Sequence, residues 1–208
     1  MFNNLEERVQ DFIDIIENDA EGDVVNLVLL NKPFMSFLTA GGFFATPAST
    51  KYHGAYEGGL YDHSRCVYNR LVLLTEKNDL KWQRPESPFI VGMFHDLCKC
   101  DQYTPVMKNE YKDNGHGALV LTPEIDHFEY ATNTLLKGHG TKSVMLLSQF
   151  ITLTEEEMLC IRYHMGAYGN EEEQKIEWAG FDAASRRTNG LCLYAHLADQ
   201  LASKIDNI

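Results

Sequence analysis

The residues best suited to chemistry in this 208-residue sequence are its eight histidines, His53, His63, His95, His116, His127, His139, His164 and His196, and a few of its aspartates. His95 and Asp96 stand together at the end of an apolar stretch, Phe89-Ile-Val-Gly-Met-Phe94. Adjacent helical residues point about 100° apart. The two therefore do not share a face, yet both can reach one cation lodged against a helix end. His63 lies in an amphipathic stretch from Leu60 to Glu76, and Asp199 in the otherwise apolar Ala195-His-Leu-Ala-Asp-Gln-Leu201. A carboxylate on an apolar helix has to be paired or metal-bound, because desolvating it alone is expensive. Two His and two Asp make a hard-to-borderline ligand set suited to Mn, Fe, Mg, Ni or Zn. His139 in Gly138-His-Gly140 and His164 in Arg162-Tyr-His-Met-Gly166 add two imidazoles near helix ends. Singly, each histidine reads as a core or cap residue; the joint pattern is what points to metal.

Helices must position these groups. Asp11-Phe-Ile-Asp-Ile-Ile16 and Asp23 to Leu30 are apolar at helical spacing, the second run ending at Pro33, and Phe34 to Leu38 is short and broken by Gly41-Gly42. Leu60, Val67, Leu71 and Leu74 share one face of a long helix through Glu76. Ser87-Pro88 reads as an N-cap with proline at the first helical position, opening a helix from Phe89 to Cys98. Gly138 to Phe150 reads as helical, Thr154 with Glu157 forms a capping box for a helix through His164, and Thr188 to Ile205 closes the chain as a helix. Trp178 to Arg187 fits either helix or loop. Between Gln102 and Leu121 the pattern changes to short apolar pieces around Lys108-Asn109 and Asp113-Asn114-Gly115, which predicts a small β-hairpin. Thr122-Pro123-Glu124 then reads as a helix start. The expected fold is all-α with a minor hairpin-like insertion near 102–121.

Composition bounds the function. Hydrophobic residues make up 44% and charged residues 23%, an ordinary globular balance. Lysines and arginines number 18 against 30 acidic residues, 18 − 30 = −12, which disfavours a phosphate-backbone binder because counterion release needs clustered cations. An anionic substrate remains compatible if metal ions supply the positive charge. No run approaches a membrane span, and Met1 to Gln10 lacks the apolar core of a secretory signal, so a cytoplasmic location is expected. The five cysteines (Cys66, Cys98, Cys100, Cys160, Cys192) are odd in number, contain no CxxC and read as reduced thiols; Cys98 and Cys100 form a CxC that reads as packing rather than as a soft-metal site. Glu155-Glu156-Glu157 and Glu171-Glu172-Glu173 read as solvated helix starts or loops.

In order along the chain stand Tyr52-His-Gly-Ala-Tyr-Glu-Gly-Gly-Leu-Tyr-Asp-His63, Phe94-His-Asp-Leu-Cys-Lys99, Gly138-His-Gly140, Arg162-Tyr-His-Met-Gly166 and Leu197-Ala-Asp199. This set resembles the HD-domain superfamily of metal-dependent phosphohydrolases. The Glu-Gly-Gly-Leu-x-x-His stretch is similar to that of the HD-domain 3′-to-5′ exoribonucleases. The likeness runs from about Thr46 to the C-terminus, which implies one HD domain over 1–208, with 1–45 as a helical extension and 46–208 as the helical-bundle core. It implies a first metal on His63, His95, Asp96 and Asp199, and a second on His139 and His164 with Asp96 bridging. Two divalent ions about 3.5–4 Å apart would then activate a bridging hydroxide against phosphorus. Asp96 and Lys99 would be the catalytic residues, Lys99 as a point charge on a phosphoryl oxygen.

The departures from the family pattern are local. Cys98 stands where the family commonly has glycine, and its thiol reads as a bystander. His53 reads as a substrate contact or turn cap, Glu57 as a local hydrogen-bond partner, Arg65 as solvent-facing, and His196 as either an orienting partner of Asp199 or a packed residue. His116 and His127 carry no assigned role. The implied activity is hydrolysis of a phosphate mono- or diester of a small molecule such as a nucleotide. An exonuclease on single-stranded nucleic acid, or a non-catalytic metal-stabilised nucleotide-binding scaffold, are the alternatives. The exonuclease is weakened because the segment before Thr46 reads as helical rather than as an OB barrel. Selectivity is expected to lie in the 102–121 loop region. The sequence leaves the substrate, the metal and the oligomeric state open.

Overall fold

Asn4 opens the first helix, its side chain accepting the Glu7 amide at 2.9 Å, and α1 runs Leu5–Asn18. The computed structural model of the chain describes residues 2, 4–113, 115–116, 119–132, 134, 136, 138–167 and 171–208. After α1 come a π-helical turn (Val25–Leu29), α2 (Lys32–Ala40), an irregular segment, α3 (Gly59–Asn78) and α4 (Ser87–Phe94). A 3₁₀ turn (Leu97–Asp101) leads into β1 (Tyr103–Asp113) and β2 (Leu119–Tyr130), followed by α5 (His139–Leu147), α6 (Glu155–Tyr163), α7 (Glu171–Arg187) and α8 (Leu191–Leu201). A second π-helical turn, Ala202–Asp206, follows α8. Pro33 does not end a helix but sits in the first turn of α2, where a missing N–H costs nothing.

One hydrophobic cluster joins the elements. It takes Phe12 and Ile15 from α1, Phe34 and Leu38 from α2, Leu60 and Leu71 from α3, Phe89 and Phe94 from α4, Ile161 from α6 and Ala195 from α8. Phe94 meets Phe34 edge-on at 5.1 Å and Phe89 at 5.8 Å. Such aromatic pairs contribute about 0.5–1.5 kcal/mol beyond their buried area, and here they anchor the residue immediately before His95. Gly92 allows α4 to lie directly on α3, since a side chain there would run into the Tyr68 backbone.

Two buried polar ties set the frame. Arg8 of α1 donates to Asp62 at 2.8 Å, and the Tyr56 hydroxyl donates to the same carboxylate at 2.9 Å, fixing the start of α3. Glu157 closes the Thr154 capping box and also accepts from Arg84 and Ser87, each at 2.8 Å. The third glutamate of the 155–157 run is therefore fully buried rather than solvated.

The all-α expectation does not hold. Although 57% of the chain is helical, β1 and β2 form a two-stranded antiparallel sheet, with Tyr103 opposite Tyr130 and Asp113 opposite Leu119. The sheet runs well past residue 121, and Thr122-Pro123-Glu124 lies inside β2 rather than starting a helix. Both strands are edges, so the prolines at 105 and 123 remove no bond that a central strand would need. Most of both strands is exposed, which removes the in–out alternation that marks a longer strand in sequence. The helix expected from Phe89 to Cys98 runs Ser87–Phe94 instead: Ser87 is its first residue rather than its N-cap, and it stops before the 3₁₀ turn. The 171–187 segment is helical throughout. No described helix is long and apolar enough to cross a membrane.

Candidate metal centre

Five helices deliver six side chains to one place. His63 comes from the second turn of α3, His95 and Asp96 from the end of α4, His139 from the start of α5, His164 from the end of α6 and Asp199 from α8. His63, His95, Asp96 and His164 have at most 2% of their surface exposed. His63 Nε2 lies 3.3 Å from His95 Nε2, 3.1 Å from Asp199 Oδ1 and 3.7 Å from Asp96 Oδ2. His95 Nε2 lies 3.4 Å from Asp96 Oδ2. On the other side of the same carboxylate, Asp96 Oδ1 lies 2.6 Å from His139 Nε2 and 3.3 Å from His164 Nε2.

The local folding that aims the imidazoles is repeated. His95 and His164 are the C-caps of α4 and α6, and each turns its Nδ1–H back onto the carbonyl three residues earlier, Gly92 at 2.8 Å and Ile161 at 2.7 Å. Both bonds satisfy a carbonyl that the helix end would otherwise leave unpaired. His63 Nδ1 donates to the Ile208 carbonyl oxygen at 2.8 Å. A ring whose Nδ1 carries the proton presents an Nε2 lone pair, the arrangement of a metal-ligating histidine.

That fixes a test of whether these residues suit a metal. Two Nε2 lone pairs 3.3 Å apart repel unless a proton or a metal ion lies between them. Asp96 Oδ1, His139 Nε2 and His164 Nε2 are buried and make no hydrogen bond of proper geometry despite their proximity. Orphaned buried acceptors call for an explanation, and an ion among them supplies one. His63, His95 and Asp96 could hold a metal ion, as could Asp96, Cys98 and His139. The donor set fits a divalent cation.

Charge is arranged around Asp96. Burial works to raise its carboxyl, but the Lys99 ammonium, with the His95 and His139 rings beside it, outweighs that and holds it well below the usual carboxylate range. Lys99 is buried in the 3₁₀ turn with Nζ 2.6 Å from Asp96 Oδ2, and that pairing raises the ammonium against burial. Burial also opposes ionisation of Asp199, and the His63 ring 3.1 Å away overrides it, again holding the carboxyl low. For His139, burial favours the neutral ring, while the Asp96 charge raises it to about 9.

Other sequence candidates sort differently. The His53 ring lies 4.8 Å from that of His63, and burial, with His63 and the Lys99 ammonium nearby, pushes it down to about 4, so it is neutral. His196 donates Nδ1–H to the His164 carbonyl at 2.6 Å, so it braces the end of α6 and not Asp199. Arg65 pairs with Asp11 of α1 at 3.1 Å rather than facing solvent alone. Glu57 is exposed. His127 is exposed on β2 beside Asp126 and Glu129. Cys98, read from sequence as a bystander, has its sulfur 3.6 Å from His139 Nδ1; the CxC was the available signal. The Ile208 carbonyl left no signal in the sequence.

No family model, curated protein or solved structure matches the chain.

Proposed function

We propose that this chain is a metal-dependent phosphohydrolase of the HD-domain kind, a single domain that hydrolyses a phosphate mono- or diester of a small molecule such as a nucleotide. The division of Asp96 carries the reading. Its Oδ1 faces His139 and His164, while its Oδ2 faces His63, His95 and Lys99. A carboxylate so divided is suited to serve two ions, one with His63, His95 and Asp199, the other with His139 and His164. Divalent ions bound there would supply an acidified water and a clamp on phosphoryl oxygens.

The chain's own residues do the rest. Lys99 offers a fixed ammonium beside Asp96, a charge-assisted donor for a phosphoryl oxygen. His53 adds a neutral ring next to His63. Between the Ala55–Glu57 loop and the hairpin lies a cleft of about 580 Å³, lined by Tyr56, Met107, Ile125 and Phe128 among others. This cleft is where we place selectivity for the organic part of the substrate. Glu57, Glu124 and Asp126 in the same lining, with the net charge of −12, disfavour a polyanionic strand and favour a small substrate over single-stranded nucleic acid.

Metal content per chain, measured on protein purified without chelator or histidine tag and on Asp96→Ala, tests this. About two ions per chain, lost in the variant, are expected. Turnover of mononucleotides and simple phosphodiesters, compared with single-stranded RNA, then separates a small-molecule hydrolase from an exonuclease. No turnover of any of them with metal bound would leave the scaffold reading. Failure to bind metal after reconstitution with Mn, Ni or Fe would sink the ligand assignment.

A further inference from the structure

Four imidazoles face Asp96, and three are held by the same device. His63, His95 and His164 each commit Nδ1 to a backbone carbonyl. His139 differs: its Nδ1 faces the Cys98 sulfur at 3.6 Å, while its Nε2 lies 2.6 Å from Asp96 Oδ1. Cys98 has no exposed surface, and its amide donates to Ser143 Oγ at 3.0 Å. Ser143 stands four residues after His139 on α5, on the same helix face. The 3₁₀ turn therefore grips the start of α5 at two points, once through the Cys98 amide and once through its sulfur.

We propose that Cys98 is a positioning residue for the Asp96–His139 half of the centre: its sulfur accepts the His139 Nδ1–H and thereby presents the His139 Nε2 lone pair beside Asp96 Oδ1. The inference rests on the metal reading above and adds to it the residue that orients one ligand. The buried, orphaned Oδ1 of Asp96 is the independent sign that His139 Nε2 is aimed at a shared ligand position. Direct ligation by the sulfur is the nearest competitor, because Asp96, Cys98 and His139 lie close enough to hold an ion. The sulfur's 3.6 Å contact is with Nδ1, not with the Nε2 that lies 2.6 Å from Asp96 Oδ1, which favours the orienting role, and cobalt absorption separates the two. A Cys–His–Asp nucleophile relay fails on two counts. The sulfur is inaccessible, and the His139–Asp96 contact lacks hydrogen-bond geometry.

The test compares wild type, Cys98→Ala and Cys98→Ser. Cobalt(II) is titrated against a competing chelator and followed by absorption, and the imidazole Nδ1 protons are observed by NMR in ¹⁵N-histidine protein. Wild type is expected to bind two ions without a sulfur-to-cobalt charge-transfer band. Cys98→Ala is expected to keep one tight ion and bind the second about 10–100-fold more weakly, the usual loss when an orienting partner is removed. Cys98→Ser, which keeps an acceptor, should recover part of that loss. Equal binding of both ions by Cys98→Ala overturns the proposal, as does a charge-transfer band in wild type that Cys98→Ser removes. If wild type binds no cobalt, the metal reading has failed and the NMR signal decides the contact by itself. A hydrogen-bonded His139 Nδ1 proton that disappears in Cys98→Ala sustains it, and its absence from wild type overturns it.

Discussion

Ser87 Oγ donates to Glu157 Oε1 at 2.8 Å, and this bond ties the N-terminal end of α4 to that of α6. The two helices are 8 and 9 residues long, so their C-terminal ends arrive together, with the His95 and His164 rings 4.7 Å apart. The helices are thus fastened at one end by a buried carboxylate and meet at the other in the candidate centre. Arg84, bonded to both Glu157 oxygens at 2.8 Å, neutralises the carboxylate.

Glu157→Ala should therefore be costly. It removes a capping box, worth about 1 kcal/mol, and charge-assisted bonds worth about 1.5–3 kcal/mol. A loss near 3 kcal/mol in denaturant unfolding is expected, against about 1 kcal/mol for Ser87→Ala. If the two variants unfold alike, Glu157 is not the tie described.

Asp96→Asn keeps the shape of the side chain and removes its charge. It should lower affinity for both ions by more than about 100-fold, beyond what loss of an orienting partner costs. It also leaves Lys99 buried without its counterion, so the metal-free variant should be less stable than wild type, by several kcal/mol. Inductively coupled plasma mass spectrometry and chemical denaturation read the two effects separately.

Proton competition gives a pH signature. In the metal-free chain the His139 imidazole is raised to about 9. Its stabilisation is full below the ordinary histidine value of about 6.5 and is lost as pH rises through about 9. Metal has to displace that proton, so affinity for the His139 half should climb about tenfold per pH unit from neutral pH and level off near 9. Asp96 and Asp199 are depressed, so their contribution is full above about pH 4 and fades only as pH falls below that. Calorimetric metal titrations at several pH values check the slope; a pH-independent affinity contradicts it.

Gly140 explains the glycine after His139. A side chain there would press on the Ile161 and Arg162 carbonyls, and the Ile161 oxygen is the one that holds the His164 ring. Gly140→Ala should cost about 1–3 kcal/mol through overpacking and weaken metal binding at His139 and His164 more than at His63 and His95. Equal weakening of both halves, read by competitive titration, would show a general rather than a local disturbance.

The hairpin is peripheral to the core. Met107, Tyr111, Leu119 and Val120 are exposed, and Phe128 alone in β2 is buried. Replacing residues 106–127 with a short turn should leave metal stoichiometry unchanged and shift KM among small phosphoesters more than kcat. Loss of metal from that variant would show that the hairpin supports the centre instead of lining its approach.

The sequence by itself determined what can be read within one or two helical turns. The Thr154–Glu157 capping box, the long amphipathic stretch of α3 and the order of histidines and aspartates are of this kind, because capping and 3.6-residue periodicity act locally. It did not reveal the length of the sheet, because an exposed two-stranded arm has no buried face to impose alternation. Nor did it reveal that Glu157 is interior, that Arg65 meets Asp11, or that Cys98 faces His139. Those contacts span 70, 54 and 41 residues, and the His63–Ile208 bond spans 145. Only packing decides such contacts: helix ends distant in sequence share a site when one core seats them together, and burial then dictates which polar atoms must find each other.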